Sequence, residues 1–139
     1  MGDPRSVELE NVGVIQEFVK EFDDAWNDHD VNRFSSFFTE DTDMHFITLG
    51  MRMRGRGEVA QTYTKIFAGV APGVRHKTAL KEMHPITSDV ILLDGVTDIA
   101  KDDETVLRRH TGATVLLRTD AGWRIRAMRI WTEQLPAGN

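Results

Sequence analysis

Apolar positions recur at three- and four-residue steps through the first half of the chain and at two-residue steps through the second. Val12, Ile15, Phe18, Val19, Phe22, Ala25 and Trp26 mark one face of a long amphipathic helix, predicted from about Val7 to Asp28. Asp30 stands where an N-cap would open a second, short helix carrying Val31, Phe34, Phe37 and Phe38. The acidic turn Thr39-Glu40-Asp41 precedes a strand predicted from Thr42 to Thr48. Gly55-Arg56-Gly57 breaks the chain, and a third helix follows with Val59, Tyr63, Ile66, Phe67 and Val70 on one face. Ala71-Pro72-Gly73 ends it.

Beyond Gly73 the helical period stops. Four strands are predicted, at about Val74 to Pro85, Asp89 to Ala100, Thr105 to Thr119 and Trp123 to Glu133. Thr87-Ser88-Asp89, Lys101-Asp102-Asp103 and Asp120-Ala121-Gly122 supply the turns between them. Short links between long strands make neighbours antiparallel. Helices first and a meander second define an α+β fold, with three N-terminal helices on a curved, mostly antiparallel sheet. The helices can cover one face of that sheet. Val90-Ile91-Leu92-Leu93 is apolar on both faces, so the other face calls for cover as well. A homodimer packed sheet to sheet is the economical expectation.

Composition narrows the classes. The 139 residues suffice for one domain with a real core, and nothing marks a linker or a repeat. A net charge of −5 argues against generic nucleic-acid binding. No apolar run reaches the roughly 18 residues of a membrane span. Met1-Gly2-Asp3-Pro4-Arg5 starts no signal peptide, and cysteine is absent, so a cytoplasmic protein is expected. Five histidines show no HExxH or comparable ligand spacing, and no metal or cofactor is expected.

The element order resembles the cone of the ketosteroid-isomerase/nuclear-transport-factor-2-like superfamily. Trp26-Asn27-Asp28-His29-Asp30-Val31 and Phe37-Phe38-Thr39-Glu40-Asp41-Thr42-Asp43 resemble its helix-turn-helix and entry to the first strand. Gly55-Arg56-Gly57-Glu58-Val59 resembles the start of its third helix, and Gly122-Trp123-Arg124-Ile125 its last strand. The similarity covers about residues 12 to 134 and is closest to SnoaL-like proteins of the SgcJ/EcaC-type branch. It implies a single SnoaL-like domain over residues 1–139 and a pocket for a hydrophobic small molecule. It also implies a place in polyketide or enediyne-type secondary metabolism. Phe22, Trp26, Met44, Phe46 and Phe67 are candidate wall residues, joined by His76 and Trp131.

The family's carboxylate base and oxyanion tyrosine match Phe46 and Phe22, which move no proton, so steroid isomerisation by that pair is not expected. Other polar residues keep cofactor-free acid–base or cyclisation chemistry open. His110 alternates with Gly112, Thr114 and Leu116, and His76 with Val74, Thr78 and Leu80. Tyr63 offers a phenol, and Asp94 interrupts an apolar run as a base or as the partner of an arginine. Arg129 is in phase with Ile125, Ala127 and Trp131. It either enters the pocket to meet an anionic ligand or is turned out by a bulge and paired. A noncatalytic binding or accessory protein is the alternative class, and an interaction module using the outer surface a third.

Overall fold

The computed structural model describes residues 4–134, with side chains from residue 12 onward. The elements are α1 (Pro4–Asn27), α2 (Val31–Ser36), β1 (Phe38–Phe46), β2 (Met51–Arg54), α3 (Arg56–Ala68), β3 (Val74–Thr87), β4 (Val90–Lys101), β5 (Val106–Thr119) and β6 (Gly122–Glu133). The strands form one six-stranded sheet in the order β2-β1-β6-β5-β4-β3. Every pairing is antiparallel except β1 with β6, which run parallel. The α+β cone is therefore present as expected, with α1 along β3 and α3 against β1 and β2.

Local chemistry explains the breaks. His29 takes a left-handed φ of 55°, which stops α1. The Asp30 carboxylate accepts the Arg33 N–H at 3.1 Å and caps α2. At α3, Gly55 has φ 90°, and the Glu58 carboxylate accepts the Arg54 N–H at 2.9 Å. The Arg56 guanidinium donates to Phe38 O at 2.9 and 2.7 Å, tying the start of α3 to the start of β1. The Gly-Arg-Gly segment is thus a structural clasp.

Two strands differ from expectation. β1 begins at Phe38 rather than Thr42, because Glu40 and Asp41 sit in an irregularity of the β1–β6 ladder, between Phe38 and Asp43. A short charged bulge within a strand reads like a turn. β2 is unforeseen: Met51 and Met53 face inward while Arg52 and Arg54 face out, four alternating residues at a sheet edge.

The core fills the closed end of the cone. Phe34 has its ring 4.4 Å from Tyr63 and 4.8 Å from Phe22. Ile15, Phe38, Met44, Met53, Val59, Ile91, Leu116 and Ile125 are almost wholly buried around it. Each such side chain contributes about 1.5–3 kcal/mol. Ile91 and Leu93 face this core, whereas Val90 and Leu92 lie half-buried on the outer face.

Candidate active site

Toward its open end the cone encloses a cavity of about 300 Å³, within the small end of ligand-site sizes. Phe18, Phe22 and Trp26 of α1 form its roof, Tyr63 and Ile66 of α3 one side, and the inner sheet face its floor. Leu49, in the β1–β2 turn, is 47% exposed and marks the mouth. Gly95 and Gly112 are direct cross-strand partners on that floor, where no side chain fills the space.

One wall carries an aspartate–histidine dyad. Asp23 projects from α1 toward β3, the last strand of the sheet. Its Oδ1 accepts from His76 Nδ1 and from Thr78 Oγ1, both at 2.8 Å. Its Oδ2 accepts the Thr78 N–H, also at 2.8 Å. A carboxylate accepts, so Nδ1 is the donor to it, and in the neutral imidazole Nε2 is then the nitrogen with the free lone pair. Thr78 spends its one hydroxyl proton on Asp23 and so accepts from Thr97 Oγ1, 2.9 Å away. Asn27, one helical turn after Asp23, accepts the His76 N–H at 2.7 Å and donates to His76 O at 3.0 Å. Trp26 stacks on the His76 ring at 4.8 Å and 23°. The Nδ1 proton and the ring plane are thereby both fixed, on an imidazole that lines the cavity.

His110 is the second cavity imidazole and is buried. Its Nδ1 lies 3.2 Å from Thr132 Oγ1, and the Phe46 ring meets it edge-on at 4.8 Å. Burial first, then electrostatic repulsion from the His76 site and from Arg108, holds its pKa down to about 4, since a second proton here would meet any charge on either. At neutral pH it is therefore an uncharged hydrogen-bonding group. Burial pushes the Tyr63 phenol well above the usual tyrosine range, so it remains a protonated donor. Arg108, two residues before His110 on β5, also lines the cavity.

Of the residues singled out from the sequence, Phe22, Trp26, Met44, Phe46, Tyr63, His76 and His110 line the cavity. Phe67 is instead core, 5.7 Å from Trp26 and 5.5 Å from Tyr63. Trp131 faces outward, which corrects its place among the wall residues, and Arg129 takes the second of its two alternatives, turned out by a bulge and paired, which removes it from the catalytic candidates. A shift in the β5–β6 ladder between Val115 and Leu116 makes a bulge at Arg126 and reverses the alternation. Trp123 and Ile125 point in, Met128 and Ile130 point in, and Ala127, Arg129 and Trp131 point out. Arg129 donates to Asp43 O at 3.0 Å, and its guanidinium lies 3.4 Å from the Asp43 carboxylate. The hydrogen bonds and charge of Arg52 foremost, with Arg129 beside it, hold the Asp43 pKa below the usual carboxylate range.

Asp94 is also on the outer face, with no arginine among its described partners. It joins Glu82 and His84, whose donor atoms lie within 4.8 Å of one another. His84 Nε2 is 2.7 Å from Glu82 and 3.4 Å from Asp94. The shorter spacing is that of a hydrogen bond. Two ligands on tetrahedral zinc stand about 3.3 Å apart, from bonds of ~2.0–2.1 Å. This cluster is the only metal-capable group among the described residues.

Asp23, Thr78, Thr97 and Arg108 were not legible as site residues. One signal was available: Asp23 and Asn27 border the apolar stripe of α1 four residues apart. That spacing spans roughly 6 Å, close to the ~6.8 Å between alternate strand residues such as His76 and Thr78.

An α+β cone around an apolar cavity with a few convergent polar groups is the architecture of the ketosteroid-isomerase-like class. Residues 15–130 match the model of the SnoaL-like domain, and the chain belongs to that family. No curated protein matches it. Solved structures share the fold at low identity. A protein of cystatin-like fold from Nostoc punctiforme is 22% identical with a TM-score of 0.78, covering 91% of this chain and 79% of its own. A candidate scytalone dehydratase from Novosphingobium aromaticivorans is 11% identical with a TM-score of 0.78, covering 94% and 89%. A ketosteroid isomerase-like protein from Erwinia carotovora atroseptica is 16% identical with a TM-score of 0.72, covering 91% and 98%. No helix among the described residues is long and apolar enough to cross a membrane.

Proposed function

We propose that this chain is a cofactor-free acid–base enzyme acting on a hydrophobic small molecule. The observation that carries this reading is the Asp23–His76 dyad, 2.8 Å between Oδ1 and Nδ1, in the wall of an apolar cavity. His76 Nε2 removes a proton from a carbon next to a carbonyl, and Asp23 stabilises the imidazolium that results. Negative charge then moves to the carbonyl oxygen. His110, neutral by burial, and the Tyr63 phenol are the N–H and O–H donors available to meet it. Return of the proton to another carbon gives isomerisation; attack of the enolate carbon on a second carbonyl, whose oxygen takes the proton, gives ring closure; and loss of a β-hydroxyl, protonated by the imidazolium and leaving as water, gives dehydration. The likeness to a candidate scytalone dehydratase supports the last outcome. The family match supports a role in polyketide or related secondary metabolism, and the sequence resemblance supports the SgcJ/EcaC-type branch.

Deuterium exchange tests the chemistry without the natural substrate. 2-Tetralone, a two-ring ketone with acidic α-protons, is incubated with the protein in D₂O and followed by proton NMR. The wild-type chain should accelerate α-proton loss, and His76→Asn should return the rate to background while retaining the native circular dichroism spectrum. Binding of the ketone without exchange would make this a noncatalytic binding protein.

The outer face of the sheet completes the proposal. Leu92, Val96, Ala113, Val115 and Ala127 form a half-buried aliphatic strip that no helix covers among the described residues. A second copy of the chain is its proposed partner, giving a cytoplasmic homodimer with two independent cavities.

A further inference from the structure

The cavity has a charged end. His76, Ile99 and Arg108 lie side by side on β3, β4 and β5, in register and all on the inner face. Two strand spacings put the His76 and Arg108 backbones roughly 9–10 Å apart, about the length of a small ring system with one substituent. Among the described residues that line the cavity Arg108 is the one permanent charge; the remainder are apolar, hydroxyl-bearing, glycine or imidazole. Its side chain is exposed enough to stay hydrated when the cavity is empty. Among the described residues no carboxylate lies within ion-pair distance of it. Several other arginines are paired: Arg52, Arg109, Arg118, Arg126 and Arg129 each have an aspartate within 4 Å.

We propose that Arg108 makes this a site for hydrophobic ring acids, whose carboxylate it holds at the mouth while the reacting carbon reaches His76. This rests on the reading of the cavity as a small-molecule site. A planar, delocalised guanidinium suits a carboxylate because two parallel N–H donors match its two oxygens. The Gly95–Gly112 pair leaves flat floor beside this row, and the α1 aromatics Phe22 and Trp26 form the opposite wall. A Cβ on Gly95 would meet Ala79 O at 3.2 Å, so this floor cannot be raised without moving the sheet. The anion is thereby bound at one end and the ring body lies over the glycines. Such an arrangement orients a substrate end to end, which an apolar cavity alone does not do.

Isothermal titration with 2-naphthoate and its neutral near-isostere 2-naphthamide tests the assignment. The wild-type chain should prefer the acid by about tenfold, the usual worth of one charge-assisted hydrogen bond. Arg108→Gln should erase the preference chiefly by weakening the acid, and Arg108→Lys should restore part of it. His76→Asn should keep the preference, since the anion end is separate from the dyad. Equal affinity for both probes in the wild type, or a preference that survives Arg108→Gln, overturns the proposal and leaves the pocket reading standing. Failure of both probes to bind at millimolar concentration overturns the pocket reading together with it.

Discussion

His110 couples its protonation to folding. Its pKa is about 4 in the fold against 6.5 for a free imidazole, chiefly through burial. Between these values the unfolded chain takes up a proton that the folded chain refuses. Stability is therefore fully present above pH 6.5 and falls as pH drops toward 4, by about 1–2 kcal/mol once solvent screening is allowed for. Denaturant midpoints measured from pH 7.5 to 4.5 should fall less steeply for His110→Gln than for the wild type. An identical slope would remove His110 from the account. Arg129 makes the opposite kind of case. It shares Asp43 with Arg52, so Arg129→Met strands no charge. That change should cost less than about 1 kcal/mol in a thermal melt and leave naphthoate affinity unaltered. A large loss of affinity would return Arg129 to the pocket side. The sequence left Arg129 between the cavity and an outward, paired position, and the shifted β6 register decides for the second.

At the scale of elements, α1 does three jobs. Its apolar stripe roofs the cavity, its Asp23 builds the dyad, and its Asn27 satisfies an exposed edge. β3 is the last strand of the sheet, and its free N–H and C=O groups at His76 would otherwise face water or another strand. Asn27→Ala leaves both without their partner. The expected loss is about 1–3 kcal/mol by urea denaturation, with faster amide exchange concentrated in the first half of β3. Uniform exchange across the sheet would argue against a local clamp. The four long strands, the three helices and the Asp30 cap were legible because each rests on periodicity or a single capping residue. β2 was not, because four residues give too short a pattern, and its arginines read equally well as a loop. The early half of β1 was hidden by Glu40 and Asp41, whose charge is tolerated only because the ladder bulges there.

At the scale of the whole molecule, the two faces of β4 separate stability from assembly. Leu93 faces the core, so Leu93→Asp should prevent folding. Leu92 lies on the aliphatic strip, so Leu92→Asp should yield a folded monomer under light scattering where the wild type reports twice the chain mass. A wild-type monomer at micromolar concentration would sink the dimer. The sequence alone determined the fold class and the apolar roof of the cavity. Both follow from periodicity, because a helix or strand that buries one face must repeat its apolar residues at a fixed step. The dyad was decided only by tertiary structure. Asp23 and His76 lie 53 residues apart, and their meeting depends on α1 lying along an edge strand with matching rise. The direction of Arg129 was likewise settled by one shifted register in β6. Period carries information along the chain, whereas partnership across it comes from packing and from bulges that leave no compositional mark.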